Sequence, residues 1–169
     1  MLDRCSIKLL ELTINWCTWD ELLKRTGAPP SSIYWHLRRL IRCGMVEARG
    51  RRRLRYRATL KGVLLCINLG CGGSVERAAQ ELGINLIEAD AVGKAFFRIV
   101  QREGINLTEL NVTRENVIST IVASILAAPG RCIDEKIINT LGDSTLIQPI
   151  RDLLNREIEL LKGKREGDE

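Results

Sequence analysis

Apolar residues recur at helical spacing from the first turns of the chain. Within residues 2–15, Ile7, Leu10 and Ile14 share one face, and Leu9 and Leu12 widen it, which predicts an amphipathic helix. Thr18, with Glu21 three residues on, has the form of a capping box and opens a helix over 19–26 that stops at Gly27. Ala28-Pro29-Pro30 reads as a rigid turn, after which Ser31 or Ser32 caps a third helix running to about Cys43 and ending at Gly44. The spacing then changes. Residues 45–49 and 54–58 suit two short strands joined by a turn at 50–53, and Thr59 caps a further helix to about Leu69.

The order helix, helix, helix, hairpin, helix is that of a winged helix. Beyond the glycine-rich run at 70–73, which reads as a linker, the pattern is helical throughout. Ser74 caps a helix ending at Gly83, and a longer one follows over 86–103, with Val92, Phe96, Ile99 and Val100 on one face and a stop at Gly104. Thr113 caps another, and two more are expected at 133–141 and from about 145 to 162. The expected fold class is therefore mainly α. An N-terminal winged helix (three helices plus a β-hairpin wing, residues 1–69) is followed by an all-α C-terminal domain (74–163) and a charged, frayed tail at 164–169.

Charge changes this picture more than composition does. Residues 29–62 carry ten basic side chains against one acid, Glu47, whereas residues 1–28 balance four against four and residues 63–169 hold twelve basic against sixteen acidic. One concentrated basic block in an otherwise neutral-to-acidic chain points to a polyanion, because each guanidinium set against a phosphate releases condensed counterions.

On a wheel of the third helix, Ile33, Leu37, Leu40, Ile41 and Gly44 form the expected core face. The opposite face carries Ser31, Ser32, Trp35, Arg39 and Arg42, with Arg38 at its edge and Tyr34 and His36 on the boundaries. A polar, Arg-rich outer face on this helix suits insertion into a major groove, where Arg grips guanine O6 and N7 together. Ser31, Ser32, Trp35 and Arg38 are the expected base contacts. Arg39 and Arg42, nearer the C-terminal half, are expected on phosphate. An ordinary solvated basic face is the alternative for the helix alone.

The hairpin adds an independent signal: residues 49–57 hold six Arg in nine positions, among them Arg49, Arg51, Arg52, Arg53 and Arg55. Repulsion among them at a tip with no core to serve is relieved by a polyanion. Alternation sets Arg53, Arg55 and Arg57 on the strand face opposite Leu54 and Tyr56. Arg51, Arg52, Arg53 and Arg55 are accordingly expected on the DNA backbone or in the minor groove.

The stretch from Thr26 through Leu40, with its His36-Leu37-x-x-Leu40 element, then Gly44-Met45-Val46 and Thr59-Leu60-Lys61-Gly62, resembles the ArsR/MarR-type winged-helix regulators of prokaryotes, archaeal ones especially. The resemblance covers about residues 1–68. It implies a homodimeric transcriptional regulator that binds double-stranded DNA. The closely spaced cysteine ligands of the metal-sensing members are missing, so metal sensing is not implied.

The six cysteines, at 5, 17, 43, 66, 71 and 132, form no C-x-x-C pair, and with a single histidine they offer no zinc site of ordinary spacing. Buried free thiols are expected, with a disulfide as the alternative if the source is a hyperthermophile; Cys66 and Cys71 are the closest pair, but the glycine-rich run around Cys71 reads more as a linker. His36 is expected at the domain edge in a structural role, and with no nucleophile, carboxylate pair or phosphate loop beside it, no catalysis and no cofactor are expected. No stretch is long and apolar enough to span a bilayer, and the N-terminus lacks the layout of a signal peptide, so the chain reads as cytoplasmic with no membrane partner. The C-terminal helices are expected to dimerise. The Ile147, Ile150, Leu154, Ile158 and Leu161 stripe serves either that interface or its own domain's core. The competing account is a winged helix used as an interaction or architectural module of a replication, chromatin or transcription assembly, with non-specific DNA binding.

Overall fold

Asp3 starts the first helix in the computed structural model, which describes residues 2–103, 106, 108–114, 116 and 117. All of these fall within the first of the two units into which the chain divides, Met1–Ile121. The Asp3 carboxylate accepts the Ser6 N–H at 2.9 Å and opens α1 (Arg4–Leu12). The helix is shorter than the 2–15 expected, because the fully buried Thr13 turns its hydroxyl back onto the Leu9 and Leu10 carbonyls. Its own carbonyl then accepts from the Ala58 N–H at 2.7 Å.

A two-residue strand, β1 (Cys17–Thr18), follows; the sequence pattern does not predict it. Thr18 then caps α2 (Trp19–Thr26) through the expected capping box, and Gly27 ends that helix in the left-handed conformation. Helix α3 (Pro30–Arg42) starts one residue before the expected serine cap. Pro30 sits at its first position, where a missing N–H costs nothing, and neither serine makes a side-chain cap.

Strands β2 (Val46–Arg49) and β3 (Arg55–Ala58) form the hairpin, and β1 adds to it, giving an antiparallel sheet of order β1-β3-β2. Helix α4 (Leu60–Asn68) is capped by Thr59 as expected, and every residue from Leu60 to Ile67 is buried. A helix apolar on nearly all sides belongs inside, and α4 packs against α1, α5 (Ser74–Leu82) and α6 (Leu86–Glu103).

The compact unit thus continues through the turn at 70–73, where the composition suggests a linker. Cys71 is buried there, and its N–H bonds the Cys66 carbonyl at 3.0 Å. Gly73, not Ser74, is the N-cap of α5; the Ser74 hydroxyl instead donates to the Cys71 carbonyl at 2.7 Å. Two contacts fix the α4–α6 crossing. Asn68 Nδ2 donates to the Gly93 carbonyl at 2.8 Å, and Gly93 leaves no room for a side chain, since a Cβ there would stand 2.6–2.9 Å from Ile67 atoms. Val92, Phe96 and Val100 form the buried face of α6, as the periodicity predicts.

At 113–117, Thr113 and Asn116 exchange reciprocal cap bonds at the start of the next expected helix. The rest of that helix, Gly104, the expected helices at 133–141 and 145–162, the apolar stripe on the latter, Cys132 and the tail lie outside the described residues. Among the described residues no helix is long and apolar enough to cross a membrane. The five cysteines they include are free, with Cys17, Cys66 and Cys71 buried and Cys5 and Cys43 half-buried.

Candidate nucleic-acid interface

Helix α3 turns Ile33, Leu37 and Leu40 into the core and leaves the opposite face open. Ile41, expected in the core, is 37% exposed at the edge of that face. Trp35 is 67% exposed, an unusual state for a large aromatic side chain. Ser31, Arg38, Arg39 and Arg42 are exposed as well, and Ser32 is half-buried in the first turn. Trp35, His36, Arg38, Arg39 and Arg42 together line an open groove of about 390 Å³.

His36 takes the expected place at the domain edge. Its Nδ1 lies 3.2 Å from the Ser6 hydroxyl and 3.3 Å from the Asp3 carboxylate, which also stands 3.9 Å from Arg39. The Ser6 N–H, with help from nearby His36, holds the Asp3 carboxyl below the usual carboxylate range. The same side chain therefore caps α1 and anchors the inner edge of the α3 face.

From α3 the chain passes directly into the hairpin, with the Met45 N–H bonded to the Leu40 carbonyl at 2.9 Å. Gly50 opens the hairpin turn at φ +111°, and a Cβ there would stand 2.3 Å from the Arg53 carbonyl oxygen, so only glycine fits. Arg51, Arg52, Arg53 and Arg55 are all exposed.

Not every basic residue of the block faces solvent. Tyr56 is buried as alternation predicts, but Leu54 is 48% exposed and Arg57 only partly so. The Arg57 guanidinium lies 5.5 Å from the Trp16 ring centroid and 3.8 Å from the Glu81 carboxylate, and its Nε is buried without a hydrogen-bond partner. Arg49 lies 5.6 Å from the same Trp16 ring and pairs with Glu47 at 3.1 Å. The sheet register sets Arg49 opposite Arg55 and Glu47 opposite Arg57. Trp16 is thus an aromatic platform for two wing arginines. Nothing in the sequence singles it out, because its position follows from the unexpected strand β1.

Behind the wing lies a second element that sequence reasoning missed. Arg77 of α5 is 4% exposed, and its guanidinium donates to the Ile14 carbonyl, to the Ala58 carbonyl at 3.3 Å and to Glu81, with Nε to Glu81 at 2.9 Å. Glu81 therefore joins Arg77 to Arg57. The i,i+4 spacing of Arg77 and Glu81 is visible in the sequence; the burial of the pair is not. Lys61, counted in the basic block, is likewise buried, at 5% exposure. Among the described residues, no group of three or more His, Cys, Asp or Glu side chains is placed to hold a metal.

No curated protein and no solved structure matches the chain. A family model does, over residues 9–60: that of the sugar-specific transcriptional regulators TrmB. The matched stretch starts in α1, takes in α2, α3 and the whole hairpin, and ends on the first residue of α4. It names a different regulator family from the ArsR/MarR type that the α3 motif resembles, and the two agree on a winged helix-turn-helix. What residues 9–60 of this chain are similar to is the DNA-binding, winged-helix part of a transcriptional regulator.

Proposed function

We propose that the protein is a double-stranded-DNA-binding transcriptional regulator that reads its site with α3 and the wing. The observation that carries this reading is the exposed α3 face. A 67%-exposed Trp35 stands among Arg38, Arg39 and Arg42 on the helix that such a fold presents to a major groove. The exposed wing arginines and the match to a transcriptional-regulator family support it independently. Ser31, Ser32, Trp35 and Arg38 contact base edges; Arg39, Arg42, Arg51, Arg52, Arg53 and Arg55 hold phosphate or enter the minor groove. The protein works as a homodimer through its C-terminal helices, so that two α3 helices read the halves of a palindrome. The sugar in the family's description is not carried over: the matched residues belong to the winged helix, and the face described here is built for a polyanion.

Selection from a random duplex pool tests the proposal. Enrichment of a palindromic motif is the expected result. Binding without enrichment would hand the protein to the interaction-module account, and no binding at low salt would remove DNA altogether.

A further inference from the structure

The buried Lys61 side chain pairs with no carboxylate among the described residues. Its Nζ makes a single hydrogen bond, 2.8 Å to the Leu110 carbonyl, and no ion pair among the described residues includes it. Buried cations are ordinarily paired, because a charge taken out of water without a counter-charge is costly. Lys61 lines a cavity of about 290 Å³, together with Arg42, Gly44, Thr59, Glu109 and Asn111. The one carboxylate of that set, Glu109, accepts from the Asn106 amide at 2.9 Å, and the Asn111 amide is exposed. Two cations against one engaged acid leave the lining net positive.

We infer that this cavity, between the end of α3, the start of α4 and the segment at 108–112, binds a small oxyanion, a carboxylate or phosphate group paired with Lys61. The ligand supplies a counter-charge that Lys61 lacks among the described residues. Its place has a functional consequence that rests on the DNA-binding reading above: Ile41, Arg42, Cys43 and Gly44 line the same cavity, so an occupant sits against the C-terminal end of the recognition helix. Occupancy therefore changes DNA affinity as well.

Binding is measured first without DNA, so that its failure is distinct from failure of the DNA reading. Inorganic phosphate and citrate are titrated separately against the full-length protein, with sodium chloride at matched ionic strength as control, and thermal unfolding is followed. At ten times its dissociation constant, a ligand of the native state raises the native-to-unfolded ratio about elevenfold. The expected result is a saturable rise in melting temperature with phosphate, citrate or both. Whichever acts identifies the phosphate or carboxylate class. Lys61→Met should abolish it, and Asn111→Asp, at an exposed position, should weaken it at least severalfold. The inference is overturned if neither anion exceeds the chloride control, or if the two variants respond as the parent does.

Discussion

At the scale of single residues, the strongest restraint is Arg77, whose guanidinium closes three elements onto one another. Replacing it by Met keeps the length of the side chain but leaves the Ile14 and Ala58 carbonyls without a donor and Glu81 without its buried partner. Breaking a buried pair in this way costs about 3–5 kcal/mol, with the lower end expected here because the Glu81 side chain is 28% exposed. Urea unfolding of Arg77→Met checks this. The double variant Arg77→Met with Glu81→Gln should recover part of the loss, since it removes a carboxylate left to the more distant Arg57, 3.8 Å away. A smaller effect follows from the capping box of α2. Thr18→Ala should cost about 1 kcal/mol. The Thr18 N–H and hydroxyl both bond the Glu21 carboxylate and hold its pKa below the usual value. A lowered carboxylate pKa adds stability that is complete above the ordinary glutamate range and fades as the pH falls through the lowered value. Glu21→Gln should therefore flatten the acid limb of a stability–pH profile, with its loss of stability greatest at neutral pH and vanishing in acid, where the parent's carboxyl is itself protonated.

Among the elements, α4 and the wing show what a sequence discloses and what it does not. Helix boundaries set by local chemistry were legible: the Thr18 and Thr59 caps and the Gly27 and Gly83 stops fall where the residue types put them. The strand β1 was not, because two residues carry no period; it exists only where β3 offers its free edge. The run of small residues at 70–73 reads as a linker for a similar reason, since only the packing of α5 and α6 on α4 shows it to be a tight turn. At the α4–α6 crossing, Gly93→Ala gains up to about 1 kcal/mol in helix propensity, but its Cβ meets the branched Ile67 atoms, and overpacking of this kind costs about 1–3 kcal/mol. A net loss of stability is expected, relieved by adding Ile67→Ala; thermal unfolding of the pair decides it. In the candidate interface, the Arg-rich character of α3 and the wing was legible, whereas the withdrawal of Arg57 onto Trp16 and of Lys61 into the core depended on contacts made tens of residues away. The two elements differ in what they should do to binding. Arg51→Ala with Arg52→Ala should lower affinity for all duplexes alike, while Trp35→Ala or Arg38→Ala should cost about 1–3 kcal/mol of discrimination between sites. Fluorescence anisotropy on the selected site and a scrambled one separates the two patterns, and a wing variant that binds like the parent removes the wing from the interface.

For the whole molecule, the question is how many phosphates one binding event engages. The basic residues exposed on α3 and at the wing are Arg38, Arg39, Arg42, Arg49, Arg51, Arg52, Arg53 and Arg55, of which Arg39 stands 3.9 Å from Asp3 and Arg49 3.1 Å from Glu47. A single copy set against one half-site spends some of these on base edges, so it neutralises only a few phosphates; a dimer doubles that number. Because the slope of log affinity against log salt scales with phosphates neutralised, the two cases separate in one titration. If a dimer engages about six or more phosphates, affinity should fall by roughly 10³-fold or more between 50 and 200 mM salt. Half the slope identifies a monomer on DNA. Light scattering of the free protein at micromolar concentration gives the complementary measurement. A dimer there, with two half-sites about 34 Å apart in the selected motif, places one α3 in each of two successive major grooves on the same side of the duplex. A monomer combined with half the slope and a non-palindromic motif would leave the winged helix acting alone, with the rest of the chain assigned to some task other than pairing.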